Sequence, residues 1–139
     1  MPGRGLVLID SSAWILALRP KGSLTAQRLV GELLEHDRAA TAGMIMAELL
    51  QGARNEGEYQ NLSRELGSLH YLLFADEDWR PISQLGYRLI RAGLKIPITD
   101  IIVAHLAIKH RCLLLHADRH FELMAKEAGL AQKYLRPGT

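Results

Sequence analysis

Four acidic residues stand apart from the charged background of this sequence, because each lies beside an apolar run: Asp10, Glu48, Asp100 and Asp118. Asp10 directly follows Leu6-Val7-Leu8-Ile9, and Asp118 comes two residues after Leu113-Leu114-Leu115-His116. Asp100 opens the apolar stretch that leads into the latter run. Glu48 sits beside an apolar stripe, with Met44, Ile45, Ala47, Leu49 and Gly52 around it at helical spacing and no Arg or Lys three or four positions away. A buried carboxylate without a partner is costly, so Glu48 calls for a cation or a network of donors. Hard divalent ions such as Mg²⁺ and Mn²⁺ bind carboxylate and water oxygens. Acids gathered without such an ion repel one another and hold their protons more tightly. The chemistry that uses a carboxylate-held ion is phosphoryl transfer, with water activated and charge on the phosphate neutralised. Three of the four also have a plainer reading, since Asp10, Asp100 and Asp118 all precede helices, where Asp caps the free backbone donors.

The elements that position these acids follow from periodicity. Leu6 to Ile9 is apolar without alternation, as in a strand buried on both faces of a parallel sheet. Helical spacing follows from Ser11 to Leu18, ended by Arg19-Pro20-Lys21-Gly22. Ser23 caps a helix reaching about His36, and Ala39 to Ala42 is a weak second strand broken by Gly43. Helices are expected from Met44 to Arg54 and from Glu58 to Leu66, and a third strand from Leu69 to Phe74. Beyond the acidic stretch Asp76-Glu77-Asp78, a helix from about Pro81 to Ala92 is separated by Gly93 and Pro97 from one starting near Thr99 or Asp100 and ending at His110. Leu113 to His116 reads as a fourth strand, Arg119 to Ala128 as a helix closed by Gly129, and Lys133 to Arg136 as a short edge strand before Pro137. Alternating strands and helices give a parallel sheet with helices on both faces, in one domain spanning 1–139. Ligands of such sheets bind outside the carboxyl ends of the strands, and the four acids fall there.

Composition fits that fold and narrows the setting. A 139-residue chain that is 48% hydrophobic and 23% charged can bury a single core and is not disordered. The net charge of +2 and the pI of about 8.9 permit a nucleic-acid partner without demanding one. The single cysteine, Cys112, excludes an internal disulfide and paired-cysteine zinc sites, which suits a reducing cytoplasm. It opens an apolar run and reads as a core residue. The stretch before Asp10 is too short for an export signal or a membrane span, so a cytoplasmic protein is expected.

Four segments together resemble the PIN-domain family, and within it the VapC-type toxins of toxin–antitoxin pairs. They are Leu8-Ile9-Asp10-Ser11-Ser12-Ala13-Trp14-Ile15, Ala47-Glu48-Leu49-Leu50-Gln51-Gly52, Ile98-Thr99-Asp100-Ile101-Ile102-Val103-Ala104, and Leu115-His116-Ala117-Asp118-Arg119-His120-Phe121. Each motif alone is loose, but all four occur in the family's order across nearly the whole chain. The resemblance implies a three-layer α/β/α fold with a five-stranded parallel sheet, Mg²⁺ or Mn²⁺ at Asp10, Glu48, Asp100 and Asp118, and endoribonuclease activity. It makes Asp10 and Asp100 the firmest ligands; Glu48 binds the ion or orients its waters, and Asp118 completes the site or holds the attacking water. Ser12 matches a small polar position that steadies the site, or is an ordinary first-turn residue. The resemblance also implies a homodimer and a small antitoxin that brings a basic side chain to the acids.

One position departs from the family's pattern: His116 stands where Thr or Ser is common. It could join the metal shell, shuttle protons, or supply only a hydrogen bond, and the last is the reading preferred here. A His116–His120 zinc pair is not expected, because a strand end followed by a loop lacks helical geometry. Arg119 and His120, next to Asp118, are placed to grip a substrate. Arg88, Arg91 and Lys95, extended by Arg80, would form a basic strip for phosphates, or simply a solvated face, if their helix reaches Lys95. Trp14 is read as core or dimer surface rather than a base-stacking platform, and His105 as a satisfied, partly buried histidine. Two rivals to the nuclease stand: a catalytically inactive PIN-like RNA-binding or interaction module, and a phosphatase using Asp10 as nucleophile. The second lacks the usual partner Asp, since Ser12 occupies that position.

Overall fold

The computed structural model describes residues 5–136. Residues 1–4, the start of the stretch read as too short for an export signal, and Pro137, expected to follow the last strand, lie outside them. Five strands form one sheet in which every pairing is parallel: β1 (Val7–Ile9), β2 (Ala39–Thr41), β3 (His70–Tyr71), β4 (Leu113–His116) and β5 (Gln132–Tyr134), in the order β3-β2-β1-β4-β5. The continuous apolar run predicts a central strand, and β1 is central: Val7, Leu8 and Ile9 are all buried, with Val7 paired to both Ala39 and Leu113. Parallel pairing needs crossovers, and helices supply them. They are α1 (Ser11–Leu18), α2 (Leu24–Glu35), α3 (Gly43–Gln51), α4 (Glu56–Gly67), α5 (Trp79–Arg91), α6 (Ile98–Lys109) and α7 (Arg119–Ala128). Leu8, Ile9, Leu114 and Leu115 of the sheet pack with Ile45, Leu89, Leu106 and Phe121 of the helices in one core, giving the expected α/β/α sandwich. Cys112 is buried in it. Among the described residues, no helix is long and apolar enough to cross a membrane.

Capping explains most boundaries. Ser23 accepts from the Ala26 N–H at 3.1 Å and Asn55 from the Glu58 N–H at 2.9 Å, so α4 starts two residues earlier than its apolar spacing suggests. Gly129 ends α7 in the left-handed region, with φ 69. The expected third strand, Leu69 to Phe74, shrinks to two exposed residues, because β3 is an edge strand whose only neighbour among the described residues is the three-residue β2. The last strand is likewise shifted, to Gln132–Tyr134, by its register against β4.

The acidic stretch before α5 is not a loose loop. Asp78 is buried within a 3-10 turn (Asp76–Asp78) and accepts from the Ala75 N–H at 2.7 Å, from His105 Nε2 at 2.7 Å and from Lys109 Nζ at 2.9 Å. Burial alone would raise its proton affinity; those hydrogen bonds and the Lys109 charge outweigh it and hold the carboxyl far below its ordinary range. His105 is therefore the satisfied histidine expected of an apolar helix. Because α5 ends at Arg91, Lys95 lies beyond it and the basic strip is reduced to Arg80, Arg88 and Arg91, all exposed.

Candidate active site

The sheet brings Asp10 and Asp118 to its carboxyl edge from neighbouring central strands. Asp10 leaves β1 with its N–H bonded to the Leu115 carbonyl at 2.9 Å and caps α1. Ser12 joins the two strand ends: its hydroxyl donates to Asp10 Oδ2 at 2.6 Å and accepts from the Ala117 N–H at 2.9 Å. The Ser12 N–H also donates to Asp10 Oδ2, at 3.0 Å. Asp118 caps α7 by accepting from the His120 N–H at 2.9 Å. The plain capping reading thus holds for Asp10 and Asp118, and it coexists with their convergence. It does not hold for Asp100, which lies inside the first turn of α6, after an N-cap at Pro97.

Asp100 reaches the same edge. Its Oδ2 lies 2.8 Å from His120 Nδ1, which is also 3.3 Å from Asp118 Oδ1. Glu48 approaches from α3, and its Oε1 accepts from the Ser11 hydroxyl at 3.2 Å. One expectation is corrected here: Glu48 is exposed at the rim, not buried, so the cost of burying an unpaired charge is not what singles it out. Ile45 and Leu49 form the buried stripe of α3, and Glu48 is one helical step of about 100° away from Leu49. What marks Glu48 is its company. Its proton affinity is raised by partial desolvation, then by the negative charge of Asp10, and further by Asp100 and Asp118, against a lowering hydrogen bond from Ser11. Asp100 is raised by burial and by repulsion from Asp118 and Asp10, partly offset by His120. Burial raises Asp10, with the Ser12 bonds opposing. All four acids therefore act on one another, and among the described residues none is ion-paired with Lys or Arg.

Residues 7–127 match the PIN domain family. The chain belongs to it. Ribonuclease VapC11 of Mycobacterium tuberculosis and a VapC ribonuclease of Mycobacterium bovis are each 33% identical to it over 130 residues, covering 90% of this chain and 96% of theirs. Among solved structures, VapBC2 from Rickettsia felis, bound to a DNA fragment from its promoter, superposes with a TM-score of 0.75 at 18% identity, covering 94% of this chain and 98% of that one. FitAB bound to a DNA fragment gives a TM-score of 0.74 at 15% identity, covering 96% of this chain and 100% of that one. At such identities the likeness is one of fold.

Within this PIN domain, the histidine that departs from the family pattern has both ring nitrogens occupied. His116 is fully buried, stacked on Tyr134 with a ring separation of 5.2 Å and packed against Phe121. Its Nε2 faces Gln132 Oε1 at 2.6 Å, and its Nδ1 accepts from the Asp118 N–H at 3.2 Å. That pattern is a neutral ring with its proton on Nε2, and burial lowers its proton affinity further. It orients the turn that carries Asp118, which is the hydrogen-bonding role preferred from sequence, and it has no free lone pair for a metal. His120, read as a substrate contact and not expected to form a zinc pair with His116, is the histidine that enters the acid cluster. The available signal was its position two residues after a capping Asp, where the helix start turns the side chain back toward the cap. Arg119 is exposed as the first residue of α7. Trp14 is buried in the core, away from any stacking role, and its indole N–H has no hydrogen-bond partner among the described residues.

Proposed function

We propose that this chain is a metal-dependent endoribonuclease and the toxin of a toxin–antitoxin pair, with a divalent ion, Mg²⁺ or Mn²⁺, held by Asp10, Glu48, Asp100 and Asp118. The observation that carries this reading is the convergence of four carboxylates, of which Glu48 and Asp100 hold their protons more tightly through burial and then through repulsion from the others, with no Lys or Arg ion-paired to them among the described residues. The donor set fits such an ion: oxygens predominate, and ligand atoms of Asp100, Asp118 and His120 lie within 4.8 Å of one another. When bound, the ion supplies an activated water and neutralises charge on the scissile phosphate.

The chain's own residues do the positioning. Ser12 fixes Asp10 against the β4–α7 turn, Ser11 holds Glu48 at the rim, and the His116 ring sets the backbone from which Asp118 projects. Asp118 completes the site or holds the attacking water, and Arg119 offers its guanidinium to a substrate phosphate. The names of the relatives support RNA as substrate, and the solved complexes support a small antitoxin partner. We place the activity in the cytoplasm and read the toxin as a homodimer, silenced when the antitoxin sets a basic side chain among the acids.

Purified protein incubated with structured RNAs and Mg²⁺ or Mn²⁺ tests the enzyme. Cleavage should occur and should be lost both with EDTA and in Asp10→Asn. RNA binding without cleavage would instead make this a catalytically inactive PIN-like module, and a phosphorylated Asp10 would make it a phosphatase. Co-purification of a small partner protein tests the toxin assignment.

A further inference from the structure

We infer that His120 is a nitrogen ligand of the divalent ion held with Asp100 and Asp118, and that it biases the site toward Mn²⁺ over Mg²⁺. The inference rests on the reading of the carboxylates as a metal site and adds to it the choice of metal. Asp118 fixes the location of His120 through the N-cap bond, placing it at the second position of α7 on the site's side. From there Nδ1 lies 2.8 Å from Asp100 Oδ2 and 3.3 Å from Asp118 Oδ1. One ring atom therefore addresses two carboxylates that come from different elements, α6 and the start of α7. Ligand atoms of these three side chains lie within 4.8 Å of one another, close enough to share one ion. The His120 side chain is 40% exposed while that of Asp100 is 15% exposed, so the ring lies on the solvent side of the acids, where an arriving ion meets it.

The competing histidine is excluded on geometry, since both nitrogens of His116 are engaged by Gln132 and by the Asp118 backbone. The chemical consequence follows from ligand hardness. Mg²⁺ prefers an all-oxygen shell and keeps its waters, whereas imidazole raises affinity for transition metals, Mn²⁺ included. A site of four carboxylates alone would discriminate less between the two.

The test uses the full chain stripped of metal, with Mn²⁺ and Mg²⁺ as probes in calorimetric titrations and pulsed EPR on the Mn²⁺ form. His120→Gln and His120→Ala are compared with wild type, each checked for fold by circular dichroism. Expected are a coupling from a directly bound imidazole nitrogen in wild type, its loss in both variants, and an Mn²⁺ affinity reduced about tenfold or more while Mg²⁺ affinity changes by no more than about twofold. Bound Mn²⁺ without nitrogen coupling, or equal losses for the two metals, would overturn the role of His120 and leave the metal-nuclease reading standing. A wild type that binds neither metal would overturn both.

Discussion

Ser12→Ala is the most informative single change, because one hydroxyl ties together two strand ends and an acid. It removes the 2.6 Å bond to Asp10 and the 2.9 Å bond from the Ala117 N–H. A hydrogen bond to an ionised carboxylate contributes about 1.5–3 kcal/mol, and a backbone N–H left without a partner costs about 1–3 kcal/mol. Asp10 is buried, but both bonds run through the half-buried Ser12, so water recovers some of the loss, and a destabilisation of about 2–4 kcal/mol is expected. For a domain of this size that lowers Tm by roughly 6–12 °C. The neighbouring Ser11→Ala is the control: its 3.2 Å bond to Glu48 is exposed, and its loss should cost no more than about 0.5 kcal/mol. Urea unfolding in EDTA, followed by circular dichroism, measures both. Ser12→Ala also removes the side-chain bond that opposes the effect of burial on Asp10, so the Asp10 proton affinity rises further and the acidic limb of metal-dependent cleavage moves to higher pH. Equal costs for the two serines, or a Ser12→Ala loss below about 0.5 kcal/mol, would refute the claim that Ser12 holds the site together.

Asp10, Glu48 and Asp100 all have proton affinities raised in the folded state, so their contribution to stability is complete when they are protonated and is lost as pH rises through the raised values. Metal-free protein should therefore be less stable to urea at about pH 8 than at about pH 5, and saturating Mn²⁺ or Mg²⁺ should abolish that loss by occupying the folded state; a metal-independent profile would refute it. Asp78 has the opposite sign, since its lowered folded value gives stability that is present above the ordinary carboxylate range and disappears as pH falls below it. Asp78→Ala leaves Lys109 and His105 without their partner and should cost about 3–5 kcal/mol in urea unfolding, while wild-type-like stability would show that the cluster is not structural.

The acids were legible from sequence because strand ends are marked by where an apolar run stops, and Asp10 and Asp118 sit at two such stops. Asp100 was legible for its place at a helix start, although Pro97, not Asp100, is the cap. Glu48 was singled out for a physically wrong reason: lying beside an apolar stripe says which way a side chain leans, but not whether a rim opens there to solvent. The contact of His120 with Asp100 was not legible because it depends on α6 and α7 meeting, and no local pattern encodes that meeting. The same holds for the Asp78–His105–Lys109 cluster, whose members come from a turn and a distant helix. Edge strands were overextended for a related reason: β3 and β5 are as long as their neighbours allow, and β-forming residues such as Leu72 and Leu73 cannot lengthen them alone.

The pairing of β1 with β4 has a consequence for how the molecule comes into being. β1 is made well before β4, and the Ser12–Ala117 bond that joins their ends spans 105 positions. Closing so long a loop is late and slow compared with forming local helices. During synthesis, Asp10 is thus a lone carboxylate with no companion from the far end, and no growing fragment holds the complete set. The four-acid edge that we propose to be catalytic is therefore complete only after β4 and α7 have cleared the ribosome's exit tunnel.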